Sequence, residues 1–270
     1  MPVPKGAVGV GAGSSRDAWV NVLGIGVSPI TLGTATDTLL EMLENSRKGY
    51  VCVTSAHGIT EALRDGRFKS ILRNACLVTP DGMPLVWVGK MEGFGDRIGR
   101  VYGPDLMLEV FGRKEFSNMK HFFYGGKDGV AELLKQQLEC QFPGSRIVGT
   151  YTPPFRPLSD EEAESLRLQV AEVKPDIIWV GLSTPKQEKF MAEYLGKLDT
   201  TLMIGVGAAF DFHSNVVRQA PRWMQRSGLE WLFRVCQEPR RLWWRYVKNN
   251  PLFLGRLLLQ ACGAKRYRLH

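Results

Sequence analysis

The chain has 270 residues, 44% hydrophobic and 23% charged, enough to bury a full core as one large α/β domain or two tightly joined lobes and too apolar for a disordered protein. Its net charge of +8 is unevenly placed: from Val216 onward ten Arg and two Lys stand against Glu230 and Glu238, giving this segment +10 and leaving about −2 for the rest. No run approaches the roughly 18 apolar residues needed to span a bilayer and no N-terminal apolar h-region is present, so the expectation is a chain that stays in the cytoplasm.

Met1–Arg16 is rich in Gly, Ala and Ser. Its Gly9-Val-Gly11-Ala-Gly13 looks like a dinucleotide fingerprint but has no strand ahead of it, and residues 1–18 read as a mobile leader. Trp19–Val27 is the first strand-like run, followed by a helix from about Thr34 to Arg47 with Leu39, Leu40 and Leu43 on its apolar side. Tyr50–Thr54 is the next strand, with Ser55-Ala56-His57-Gly58 at its carboxyl end and one helix to about Leu72. Cys76–Thr79 is a third, and Pro80 and Gly82 force a turn there. Asp81 therefore projects from the end of a strand, ahead of a helix begun by Met83 and Pro84. In open α/β sheets that edge is where ligands bind. An Asp in this position could equally cap the helix.

Tyr102-Gly103-Pro104-Asp105 opens a helix running to about Phe116. A second series follows: strand His121–Tyr124, turn Gly125-Gly126-Lys127-Asp128, helix Val130–Phe142 and strand Arg146–Thr150. Pro153, Pro154 and Pro157 keep Tyr151–Leu158 extended, and Ser159 with Glu162 has the capping-box spacing of a helix ending near Lys174. Asp176–Val180 runs into the loop Gly181–Glu188, and Thr201–Val206 is the last strand, leading to Gly207 and Asp211. Seven strand-like runs alternating with helices predict a parallel α/β sheet covered on both faces. After Ala220 no strand is expected; four of the seven Trp residues fall here, and Pro221, Pro239 and Pro251 divide the segment into short helices. The organisation expected is a leader (1–18), an α/β core (19–215) and a basic helical appendage (216–270).

The five cysteines, odd in number and without a C-x-x-C pair, read as reduced, mostly buried thiols. Two strand-to-helix turns, at Tyr124–Lys127 and Val180–Glu188, present the backbone N–H groups that cradle phosphate, although such turns are also simply good turns. Lys186-Gln187-Glu188 places three polar residues at one helix start, more than capping requires. Asp211 reads either as a carboxylate for a ribose hydroxyl or base edge, or as a helix cap. His57 and His213 lack a partner at fixed spacing, which favours structural roles. There is no D-x-D, no H-E-x-x-H and no Cys/His metal spacing, so neither metal nor cofactor is expected; G-x-S-x-G and the P-loop pattern are also missing. The Arg- and Trp-rich tail suits an anionic membrane surface, nucleic acid, or a solvated face packed on the core.

Several motifs in a fixed order carry a resemblance: Val78-Thr-Pro-Asp-Gly-Met-Pro84, Arg100-Val-Tyr-Gly-Pro-Asp105, Phe123-Tyr-Gly-Gly126, Gly181-Leu-Ser-Thr-Pro-Lys-Gln-Glu188, Gly205-Val-Gly-Ala-Ala-Phe-Asp211, Gln219-Ala-Pro-Arg-Trp223 and Gly228-Leu-Glu-Trp-Leu-Phe-Arg234. From about Val20 to Pro251 the chain resembles the WecG/TagA/CpsF family of bacterial glycosyltransferases. The resemblance implies a Rossmann-like core and an inverting, metal-independent transfer from a UDP-sugar to a polyprenyl-diphosphate-linked sugar in cell-surface polysaccharide synthesis. It makes Asp81 the general base. Thr54, His57, Gly82, Arg100, Gly103, Gly125 and Gly126 become substrate-binding candidates, with Pro185, Lys186, Gln187, Glu188, Gly207, Phe210 and Asp211. The appendage adds Arg222, Arg226 and Arg234 and touches the inner face of the cell membrane. Many members carry T-x-N after the second strand where this chain has Thr54-Ser55-Ala56-His57; the donor sugar stays open, with His57 a candidate for the missing contact. Association with a second copy is left open and nucleic acid is not expected. The readings from other classes are a Rossmann-type oxidoreductase and a basic nucleic-acid-binding module. A D-x-D transferase neutralises its departing diphosphate with a metal. Lacking that motif, this chain is expected to keep its transfer activity in EDTA, and abolition by EDTA with rescue by Mn²⁺ would contradict the reading.

Overall fold

The computed structural model describes residues 19–269, so the expected leader lies outside the described residues, as do the side chains of Arg241, Arg245 and Lys248. The first strand-like run is not part of the main sheet. It folds back as an antiparallel hairpin of β1 (Val20–Val22) and β2 (Ile25–Val27), because Leu23 and Gly24 take φ of 55° and 81°, the geometry of a two-residue hairpin turn. After α1 (Leu32–Glu44), whose start is closed by a capping box of Thr31 and Thr34, β3 (Gly49–Thr54) enters the sheet. The single helix expected next is two, α2 (Ala56–Arg64) and α3 (Gly66–Asn74): Asp65 is extended between them, and its carboxylate accepts from the amides of Arg67 and Phe68.

β4 (Leu77–Pro80), α4 (Met83–Met91) and α5 (Gly103–Gly112) complete the first series. The second comprises β5 (Lys120–Gly125), α6 (Val130–Gln141), β6 (Arg146–Tyr151), α7 (Asp160–Val173), β7 (Ile177–Gly181), α8 (Lys186–Tyr194), β8 (Leu202–Gly205) and the short α9 (Ala209–His213). The Ser159/Glu162 capping box forms as its spacing predicts. The six strands make one parallel sheet in the order β4-β3-β8-β7-β5-β6. Alternation divides the strand side chains between two cores: Tyr50, Cys52, Phe122, Tyr124, Ile178 and Val180 go to one face, and Val51, Val53, Phe123, Ile177, Trp179 and Ile204 to the other. The architecture is a Rossmann-like α/β core with a C-terminal helical segment.

That segment consists of α10 (Arg222–Arg226), α11 (Glu230–Gln237) and α12 (Pro239–Ala261). Contrary to expectation, Pro251 does not divide α12, which runs through it for 23 residues. The helix is held along its length, by Leu242, Asn249 and Phe253, all buried, and at its end by Gln260, which accepts from the amide of Leu23 (2.9 Å) and donates to the carbonyl of Asn21 (2.6 Å). Tertiary packing outweighs the one backbone hydrogen bond that proline removes. The thiols also differ from expectation: all five are free, but only Cys52 is buried, Cys76 is half-buried, and Cys140, Cys236 and Cys262 are exposed.

Two glycines separate the effects of backbone sign and of space. Gly129 has φ +79° with nothing near a Cβ, whereas Gly125 has φ +131° and its Cβ would lie 2.6 Å from the carbonyl oxygen of Gly181 on the neighbouring strand. Gly129→Ala should cost about 1–2 kcal/mol in urea unfolding, the left-handed penalty alone. Gly125→Ala should cost clearly more, because backbone cannot move aside as a side-chain tip can. Equal losses would show that the close approach of β5 and β7 carries no energetic weight.

Candidate active site

A parallel sheet brings every strand's carboxyl end to one edge, and here a cavity of about 970 Å³ runs along it. Asp81 follows β4, His57 follows β3, Gly207 and Asp211 follow β8, Ser183–Gln187 follow β7, Gly126 follows β5, and the proline-rich 153–158 loop follows β6; all line the cavity. Glu230, Trp231 and Arg234 of α11 and Tyr246 and Phe253 of α12 close it from the other side. Six cations and four carboxylates line it, a balance suited to an anionic ligand.

Asp81 is held from both sides. Its amide donates to the carbonyl of Thr54 (3.0 Å), and its own carbonyl accepts from Arg100 Nε (2.6 Å). The start of α4 is Gly82, with no side-chain cap, so Asp81 is not the N-cap of that helix. Burial pushes the Asp81 carboxyl up to about 6; Arg100, Arg234 and the Gly103 amide oppose this and Glu230 adds to it. The Arg100 guanidinium lies 4.0 Å over the ring of Tyr102, donates to Gln225 Oε1 (3.3 Å), and pairs with Glu230 Oε2. Tyr102 donates to the other Glu230 oxygen at 2.7 Å. Arg234 sits over Phe212, 5.6 Å from the ring centre.

The remaining candidates separate by depth. Gly82, Gly126, Lys186 and Gln187 line the cavity, as do Gly207 and Asp211. Asp211 lies within α9, whose N-cap position is Ala208, so it does not cap that helix. Thr54 is buried behind the wall, donating to the carbonyl of Cys52 (3.3 Å). Gly103 and Gly125 are contact glycines: a Cβ on Gly103 would meet the carbonyl oxygen of Val206 at 2.8 Å. Phe210 is buried beneath Gly181 and packs edge-on to Phe123. Pro185 precedes α8 and Glu188 is fully buried; neither lines the cavity. Of the three arginines, Arg234 reaches the cavity, whereas Arg222 and Arg226 lie exposed on α10 and do not line it. His57 faces the cavity with Nδ1 accepting from Asn249 Nδ2 of α12 at 3.1 Å. His213 is paired with the carbonyl oxygen of Pro104 (2.9 Å), and burial lowers its pKa, a structural role.

Sequence reading passed over three features. Glu230 stands inside the Gly228–Arg234 motif and counts as one of two acids in a basic segment, but sequence assigns it no role. Tyr102, its hydrogen-bond donor, sits inside the Arg100–Asp105 motif. In a ladder of rings, Tyr151, Tyr124, Phe190 and Tyr194, the last three line the cavity, with Tyr124 and Phe190 cofacial at 3.9 Å; the spacing of Phe190 and Tyr194 across one helical turn was its signal. Among the described residues no cluster of three His, Cys, Asp or Glu could hold a metal.

Comparison with known proteins agrees with this geometry. The family described as "Glycosyl transferase WecG/TagA/CpsF family" matches residues 20–267. A protein of Bacillus spizizenii named N-acetylglucosaminyldiphosphoundecaprenol N-acetyl-beta-D-mannosaminyltransferase is 29% identical over 215 residues, covering 79% of this chain and 80% of its own. A Bacillus subtilis protein of the same name is 27% identical over 207 residues, 76% of this chain and 77% of its own. Four of the motifs at the carboxyl ends of β4, β5, β7 and β8 and a match across nearly all the described residues displace the oxidoreductase and nucleic-acid readings: the chain is a glycosyltransferase and belongs to the WecG/TagA/CpsF family.

Proposed function

We propose that this enzyme transfers an N-acetylhexosaminyl group from a UDP-sugar, with inversion, to a hydroxyl of a polyprenyl-diphosphate-linked N-acetylglucosamine, as a step in cell-envelope polysaccharide synthesis. The observation that carries the reading is Asp81 itself, a carboxylate at the cavity edge with a pKa raised to about 6 and with Arg100 and Arg234 close enough to influence it. Above that pH the carboxylate accepts the proton of the acceptor hydroxyl as its oxygen bonds to the anomeric carbon. The bond from that carbon to the diphosphate breaks on the opposite face, and UDP departs with the electron pair. Arg234, Lys186 and the Gly207 turn line the cavity where that negative charge can be met. The names of the relatives, both transferases of an aminosugar onto an undecaprenol-linked aminosugar, support the acceptor class.

Among the described residues no helix is long and apolar enough to cross a membrane. Trp244 and Leu258 of α12 are 75% and 70% exposed, with Trp243 and Leu254 half-exposed and Arg240 at the surface. An amphipathic helix of this kind beside the cavity fits docking on an anionic membrane surface, at about 1 kcal/mol per basic residue near the lipid. On this reading the enzyme works at the inner face of the membrane that carries its acceptor.

Asp81→Asn should lower kcat by ~10² to 10⁴ while UDP binding, read by thermal shift, changes little, because Asn keeps the size but cannot take the proton. The variant should also melt higher than wild type at pH 7. A carboxylate whose folded pKa is raised destabilises the fold once ionised, and that cost is absent in Asn. Unchanged turnover would reduce Asp81 to a structural residue. Separately, the double change Trp244→Glu, Leu258→Glu should abolish flotation with anionic vesicles at moderate salt. Undiminished flotation would move the docking surface off α12.

A further inference from the structure

Glu188 was expected to touch substrate, yet it is 1% exposed and lies behind the cavity wall. Its Oε1 accepts two hydrogen bonds, from Thr184 Oγ1 (2.8 Å) and from Gln187 Nε2 (3.1 Å). The other end of the Gln187 amide, Oε1, accepts from the amide of Gly207 at 3.1 Å. Glu188 Oε2 is buried with no hydrogen-bond partner among the described residues. Gln187 and Gly207 line the cavity, and Gly207, at φ +54°, is the turn from β8 into the helix that carries Asp211.

The two ends of a primary amide are nearly equal in size, so packing does not decide which way Gln187 faces; its partners do. Gly207 can only donate. If the Gln187 amide turned over, its NH₂ would face that donor and its oxygen would face Glu188 Oε1, two mismatches, the second against a buried carboxyl. We propose that Glu188 is a positioning residue for the transfer: through Oε1 it fixes the Gln187 amide, and thereby the Gly207 turn and the placement of Asp211 in the donor site. The inference rests on the reading of this cavity as the donor site. What the site needs from Glu188 is an acceptor oxygen. It does not need charge: burial raises the pKa of this carboxyl, and the groups that lower it are hydrogen bonds from uncharged donors rather than a cation. An ionised carboxylate there would be desolvated without a counter-ion.

The test uses the full chain carrying Glu188→Gln or Glu188→Ala. Gln keeps the carbonyl oxygen and the shape of the neutral acid, so E188Q should stay within about threefold of wild type in donor KM and in the hydrogen-exchange rate of the Gly207 amide. E188A should speed that exchange and raise donor KM by about tenfold or more, the scale of one lost buried hydrogen bond, with a smaller change in kcat. E188Q as impaired as E188A would overturn the proposal, because the carboxyl proton or charge would then matter. So would E188A with unchanged exchange at Gly207. If the alanine variant does not fold, the glutamine variant alone decides. The exchange measurement involves no donor, so if the UDP-sugar reading fails it still tests the contact.

Discussion

The pairing of Arg100 with Glu230 is the interaction on which the site depends. Arg100 follows α4 in the core and Glu230 opens α11 in the C-terminal segment, and both side chains are largely buried, at 16% and 13% exposed. The same guanidinium holds the Asp81 backbone carbonyl and stacks on Tyr102. One cation thus ties the strand end that carries Asp81 to the helix that closes the cavity. Removing one partner of such a pair costs about 3–5 kcal/mol, because the other is left charged and buried. The basic segment is therefore part of the site's electrostatics as well as its cover.

From this follows the state of Asp81. Burial is the main cause that raises its pKa; Arg100 and Arg234 oppose it, and Glu230 adds to it. The carboxyl is left near 6, ionised at neutral pH yet still basic enough to take a proton. His57 adds a second tie, since its imidazole faces the cavity while α12 holds it through Asn249. Two residues at the carboxyl end of neighbouring strands are thus governed by groups more than a hundred positions away in sequence.

The sheet was legible because its strands are short apolar runs bounded by Gly and Pro, and a parallel arrangement necessarily collects their ends. Asp81, Gln187 and Asp211 could therefore be placed on one edge before any coordinates. What escaped was what local pattern does not encode. Trp19–Val27 has strand composition throughout, and only the Leu23-Gly24 backbone makes it a hairpin. Pro251 signals a helix end, yet Phe253 and Gln260 anchor the helix beyond it. Depth was the larger loss: Lys186-Gln187-Glu188 is one polar run in sequence, but the helix turns Glu188 inward while its neighbours line the cavity. The phase of α10 and α11 likewise separates Arg234 from Arg222 and Arg226, which sequence treats alike.

The account is tested most directly by the acid limb of kcat/KM against pH, compared between wild type and Glu230→Gln. With Asp81 as the proposed base, activity should be present above about pH 6 and be lost as pH falls through that value. Neutralising Glu230 removes a charge that raises the Asp81 pKa, so in the variant the limb should move to lower pH. A limb that stays in place while the variant remains folded and active would contradict the claim that Glu230 of the C-terminal segment helps to set the basicity of Asp81 as the proposed base.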